Sequence, residues 1–222
     1  RNLEYLENKV GGRFYTNPDP KKAIDTRYYR RLNMTQITVN VIDPSSPFKL
    51  KYDIFKRINT GGQPLNSQEI RNCLASKSLR QALREMATLD SFKQATGWSI
   101  KDVRMEAQEL ALRFILFHQK YKSDKTLNNY SGNIESELNE LTEVLSKEKR
   151  NDFLEYINLF DNAMKNANYL FGRYSFRKCQ TDHMAPGSRR QQINKALFVS
   201  WSVLLSQFKY EEISEKYSTE ML

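Results

Sequence analysis

The 222-residue sequence predicts a mainly α-helical protein, with a residual α/β piece at its N-terminus followed by a multi-helix domain. Three observations carry this reading. From Leu50 to the end, apolar residues recur every three or four positions, the spacing of helices buried on one face. Only Ile37–Ile42 alternates with the two-residue period of a strand. Eight Gly and six Pro are too few for a turn-rich sandwich or a long flexible linker. The expected division is residues 1–48, holding the strand 37–42, and residues 49–222, a helical domain that includes a helix–loop–helix over 55–72.

The elements follow in order. Leu3, Tyr5, Leu6 and Val10 fit either a strand or a helical turn ending at Gly11-Gly12. Asn17-Pro18-Asp19-Pro20 is a turn. Lys22–Asn33 reads as a helix with Ile24, Tyr28 and Leu32 on one stripe. In Ile37–Ile42, Ile37, Val39 and Val41 alternate with their neighbours until Asp43-Pro44 ends the run. Leu50–Asn59 is a helix stopped by Gly61 or Gly62. Asn66 is a favourable N-cap and Glu69 stands three residues on, as a capping box requires. The helix Ser67–Ala75 then buries Ile70 and Leu74, with Arg71 and Asn72 on its other sides.

Helices are expected over Ser78–Thr88 and Ser91–Ala95, the second stopped by Gly97. Ser99 is read as the cap of a long helix reaching Tyr121. That helix is apolar over much of its circumference, as a central helix would be. After the polar connection Lys122–Gly132, Ile134, Leu138, Leu141 and Leu145 mark a helix with Glu on its outer side. Asn151–Phe171 is a helix ending at Gly172. The basic loop Arg173–Arg189 leads into Arg190–Phe208, with Ile193, Leu197, Trp201, Leu204, Leu205 and Phe208 read as inward. Tyr210–Ser218 closes the chain.

The balance of 35 Lys and Arg against 26 Asp and Glu gives a formal charge of +9, which favours a polyanionic partner. The charge is clustered. Lys49–Arg84 holds eight basic residues against Asp53 and Glu69, and Arg173–Lys195 holds six against Asp182. Glu135–Glu148 is acidic. No apolar run reaches the ~18 residues of a membrane helix, and RNLEYLENKV lacks the apolar region of a signal peptide. The two cysteines, Cys73 and Cys179, read as reduced thiols of a cytoplasmic protein.

Several chemistries lack their signatures. Two histidines, His118 and His183, far apart and without a C-x-x-C or H-x-x-x-H spacing, make a zinc site improbable. No Walker lysine follows Gly61-Gly62, and no G-x-G-x-x-G or G-x-S-x-G occurs. No catalytic or metal-binding residue is assigned. Two stretches remain as binding candidates. Asn59-Thr60-Gly61-Gly62 before a helix start permits close backbone approach to an anion, with Arg57, Gln68 and Arg71 as nearby donors. The same residues also make a capped helix–loop–helix corner. In the second stretch, Arg173–Arg190, cations interleave with Tyr174 and Phe176, a mixture able to contact phosphates and stack on bases, or simply a solvated basic loop.

The run IFKRINTGGQPLNSQEIRN, Ile54–Asn72, closely resembles the F-E-R-I-N-T-G-G-x-x-L-N-x-Q-E-I-R-N signature of the GmrSD-type restriction endonuclease family, in its N-terminal ParB/sulfiredoxin-like domain. Tyr28–Ile42, Leu170–Lys178 and Arg189–Phe198 also look similar to that family. The resemblance implies a ParB-like α/β unit followed by helices, and a nucleotide-hydrolysing or nuclease role on DNA in bacterial phage defence. It further implies NTP and Mg²⁺ as cofactors and an HNH-nuclease domain or subunit as partner. The family's D-G-Q-Q-R motif does not occur in these 222 residues. The chain therefore looks like the C-terminal portion of the family domain, expected to be inactive alone; the alternative is a non-catalytic helical domain that binds nucleic acid or, through the acidic Ile134–Leu145 helix, a partner protein or second copy. By resemblance, Arg57, Asn59, Thr60, Gly61, Gly62, Gln68, Glu69, Arg71 and Asn72 border a nucleotide or phosphate site, with Arg71 the foremost phosphate ligand. The nucleic-acid candidates are Arg173, Tyr174, Arg177, Lys178, Arg189 and Arg190.

Overall fold

The computed structural model describes residues 7–39, 41–58, 63–185 and 187–218. Leu3, Tyr5 and Leu6 and the loop Asn59–Gly62 lie outside the described residues. The chain divides into two compact units, residues 1–44 and 45–222.

Among its described residues the first unit contains two helices, α1 (Glu7–Val10) and α2 (Thr26–Met34). Asp25 caps α2 by accepting from the Arg27 N–H, and the helix starts at Thr26, four residues after the expected start at Lys22. A single parallel bridge joins Phe14 and Ala23. The expected strand at Ile37–Ile42 is not present: residues 35–39 and 41–43 have no regular structure. Ile37, Val39 and Val41 are 81%, 73% and 84% exposed. A lone alternating run has no neighbouring strand to satisfy its backbone and no layer to bury its side chains, so its period alone does not make a sheet. The ParB-like α/β piece implied by the family resemblance is thereby not supported.

The second unit is helical. α3 (Phe48–Ile58) packs against α4 (Ser67–Leu74), with Phe48, Tyr52 and Ile70 forming a small apolar cluster. α5 (Lys77–Thr88) starts at Ser76, whose hydroxyl accepts from the Leu79 N–H. α6 (Asp90–Thr96) ends at Gly97 in a left-handed conformation.

The next helix starts later than Ser99. A 3-10 turn over Asp102–Arg104 and a left-handed Met105 intervene, and α7 runs over Glu106–Ser123. Its cap is Asp102, whose carboxylate accepts from the Ala107 and Gln108 N–H groups. α7 is buried on nearly every side, from Ala107 and Leu110 through Phe114 and Ile115 to His118. It is the central helix that its apolar circumference predicts.

α8 (Ile134–Leu145), α9 (Leu154–Phe171), α10 (Lys195–Leu205) and α11 (Tyr210–Ser218) complete the unit. α6 and α10 both pack on α9, and α5 and α10 pack on α7. At their meeting point Phe160 lies 5.1 Å from Phe114, 5.7 Å from Phe92 and 6.2 Å from Phe198, centroid to centroid. Each fully buried ring contributes about 2–3 kcal/mol relative to exposure. Trp201, Leu204 and Phe208, read as inward, are 38%, 42% and 52% exposed. α10 is apolar nearly all round, so its sequence does not say which side meets the core; α7 and α9 take the side bearing Phe198, Ser202 and Leu205.

Candidate nucleic-acid interface

The loop between α9 and α10 is closed at its neck by two backbone links. Asn194 N–H donates to the Phe176 carbonyl at 2.8 Å, and Arg177 pairs with Ile193 in an isolated antiparallel bridge. Phe176, with φ of 61°, drives its ring into the core and is 1% exposed. Phe198 lies 4.7 Å from that ring. A strained backbone is tolerated here because the apolar anchor holds the loop down.

Arg177 sits beneath the surface, 6% exposed. Its guanidinium donates to the carbonyls of Gln191 (2.7 Å), Ser175 (2.8 Å) and Thr96 (2.7 Å) and to Ser99 Oγ (2.9 Å). Every acceptor is neutral. Burial lowers its pKa, and the charge of Arg190 pushes the same way. An arginine keeps its proton even so. The result is a buried positive charge that no carboxylate offsets among the described residues.

Above it, Arg190 Nη1 donates to the Gly97 carbonyl at 2.9 Å. The fit depends on glycine. At φ of 60° a Cβ on residue 97 would come within 2.0 Å of Arg190 Nη1. Trp98 follows, also left-handed, with its N–H on the Lys93 carbonyl and its side chain turned out, 65% exposed. Arg173 is held by donation to the Ser188 carbonyl at 2.8 Å and lies over the Tyr174 ring. Trp98, Arg173 and Arg190 thus border one open cleft of about 350 Å³, floored by Gly97 and Gly172. Arg189 and Lys178 are exposed nearby, and none of these cations makes an ion pair among the described residues.

The structure therefore separates the second candidate group. Arg173, Arg189, Arg190 and Lys178 face outward, and Tyr174 is half-buried. Arg177 is a buried tie, which corrects its reading as a direct ligand of nucleic acid: four acceptors at the loop neck outcompete water for its donors. Sequence reasoning does not find Trp98. Its only sequence signal is its place after a helix-ending glycine, and which way its side chain turns is a tertiary matter.

The first candidate group forms a stapled corner. Asn66 and Glu69 make a reciprocal capping box. Arg104 Nη2 bonds Glu69 Oε2 at 2.6 Å and the Pro64 carbonyl at 2.7 Å. The Arg104 hydrogen bond holds the Glu69 carboxyl below its ordinary range. Arg71 is not on the exposed side of α4. It is 1% exposed, donating to Gln68 Oε1, Glu135 Oε2 and Asn139 Oδ1 at 2.8, 2.9 and 3.2 Å. α8 packs on α4 and brings Glu135 against it, converting an apparently free cation into an interhelical tie. Gln68 is buried with it, Asn72 is half-buried, and Arg57 is exposed in the last turn of α3. Asn59, Thr60, Gly61 and Gly62 lie outside the described residues. The described residues include no group of three or more His, Cys, Asp or Glu side chains placed to hold a metal ion.

No protein-family model, curated protein or solved structure matches this chain. Fold and site together define a mainly helical protein with a cationic, carboxylate-poor cleft beside an exposed tryptophan. No described helix is long and apolar enough to cross a membrane.

Proposed function

We propose that this chain is a nucleic-acid-binding helical module that engages DNA at the Trp98 cleft. The observation that carries the reading is an exposed indole lining one cleft together with two arginines, Arg173 and Arg190. Aromatic stacking takes any base, and cations along the groove take the backbone, the pairing used for sequence-tolerant binding of single strands. The buried charge of Arg177 raises the local potential without competing for the ligand.

The test is fluorescence anisotropy with labelled single-stranded and duplex oligonucleotides. Single-strand affinity is expected to fall roughly tenfold or more between about 50 mM and about 200 mM salt. Trp98→Ala is expected to weaken single-strand binding by about 1–3 kcal/mol. Arg173→Ala with Arg190→Ala is expected to flatten the salt slope by about one for each phosphate left without its cation. A response to salt that is flat in the parent chain refutes the proposal.

A second reading rests on the Ile54–Asn72 run. By its resemblance to GmrSD-type restriction enzymes, the module would serve an NTP- and Mg²⁺-dependent activity on DNA in phage defence, with an HNH-nuclease domain or subunit as partner. Joined to a segment bearing D-G-Q-Q-R, the protein is then expected to hydrolyse NTP. Absence of turnover with every NTP, with and without DNA, counts against it.

A further inference from the structure

A second concavity lies on the helical unit, between α7, α10 and the connection that leads into α8. Lys195 approaches Glu109 at one end and Ser206 approaches His118 at the other, so α7 and α10 run in the same direction. The groove between them follows α7 from Arg113 past Phe117 to Tyr121 and α10 from Lys195 past Val199 to Leu204. Eight residues of helix span about 12 Å. Leu127, Tyr130 and Ile134 close its third side. Its volume is about 640 Å³, inside the usual range for small-ligand sites, which are mostly apolar with a few placed polar groups.

The charge of the lining is one-sided. Arg113, Lys125 and Lys195 line the groove and no carboxylate does. Two of these cations are already answered: Glu109 pairs with Arg113 at 2.8 Å and with Lys195 at 3.4 Å. Lys125 differs. Its ammonium stands 4.0 Å over the Tyr121 ring and has no carboxylate partner among the described residues. The adjacent Asp124 is turned inward on its own loop, accepting from the Thr126 and Asn128 N–H groups at 2.9 and 3.0 Å. An unanswered cation thus stands at one end of an apolar trough.

We infer that this groove binds a linear apolar anion, a medium-chain acyl carboxylate or its like, with the carboxylate on Lys125 and the chain running between α7 and α10 toward Ala196. The burial of apolar surface supplies the attraction, and the lone ammonium fixes the polarity of the ligand and its direction in the groove. This site is separate from the Trp98 cleft and rests on none of its residues.

The test uses anilinonaphthalene sulfonate, an apolar aromatic anion, as a fluorescent reporter on the full chain, displaced by laurate. Reporter fluorescence is expected to rise on binding and to be lost as laurate is added. The cation dodecyltrimethylammonium, with a chain of the same length, is expected to displace it at least tenfold less well. Lys125→Glu, a change at an exposed side chain, is expected to weaken laurate at least tenfold, and Ser200→Trp, which fills the groove from its rim, to abolish displacement. Arg190→Ala is expected to leave laurate binding unchanged, so a failure of the DNA proposal is read separately. Equal displacement by the cationic surfactant, or unchanged laurate affinity in Lys125→Glu, overturns the inference. So does light scattering that shows a dimer whose formation excludes the reporter, since the groove then belongs to a second copy.

Discussion

Single side chains here have roles that their type does not reveal. Arg71 and Arg177 are both cations in basic stretches, yet both are buried, and they are held differently. Arg71 has the carboxylate of Glu135. Burial pushes that carboxyl up, but the Arg71 hydrogen bond and charge outweigh it and hold it low. Removing Glu135 leaves a buried cation one charge short. Glu135→Ala is expected to lower stability by about 2 kcal/mol, while Arg71→Met with Glu135→Leu recovers most of it; urea midpoints measure both. His118 offers a second test at this scale. It is 6% exposed, stacked 5.7 Å from Phe114, with Ser206 Oγ at 3.4 Å from Nδ1. Burial lowers its pKa, Lys122 and Lys125 add to this, and Glu155 opposes it. The folded state therefore resists protonation that the unfolded chain accepts near pH ~6.5. At neutral pH both states are deprotonated and nothing is lost. As pH falls below the unfolded value, the unfolded chain takes up the proton and stability drops. The midpoint is expected to decline between about pH 7 and 5, and His118→Gln to remove that part of the decline.

At the scale of elements, the caps explain where helices begin, and the exceptions explain where sequence patterns mislead. Asn66, Ser76, Asn133 and Asn194 each accept a backbone N–H at a helix start. Asn66 also donates to the Arg104 carbonyl at 2.9 Å, so Asn66→Ala is expected to cost at least about 1 kcal/mol, seen as a lower thermal midpoint. The capping box at that helix start is legible from Asn66 and Glu69, because capping is a local interaction among residues three apart. The turn at Gly97 depends on a distant residue. A side chain at 97 is disfavoured at that φ and displaces Arg190, so Gly97→Ala is expected to destabilise by about 1 kcal/mol and to weaken DNA binding with it. The Trp98 cleft is half legible. Its cations stand out as a run in the chain, but its indole follows α6, about 75 residues earlier, and only packing brings it there.

For the whole molecule, the core around Phe92, Phe114, Phe160 and Phe198 joins four helices from across the second unit. Phe160 touches three of those rings, and Phe160→Ala is expected to cost about 3–5 kcal/mol, more than any surface change proposed above. The sequence by itself determined that the protein is mainly helical, where most helices lie, and that α7 is central. Those properties follow from short-range spacing, which every residue carries in its neighbours' identities. Only the tertiary structure decided that the described residues of 37–42 make no strand, that Trp201, Leu204 and Phe208 lie half open, that Arg71 and Arg177 are ties, and that Trp98 lines one cleft with Arg173 and Arg190. Each of these depends on what packs opposite. A strand needs a partner, a cation's role turns on whether a carboxylate or water faces it, and an all-apolar helix has no preferred side until its neighbours choose one.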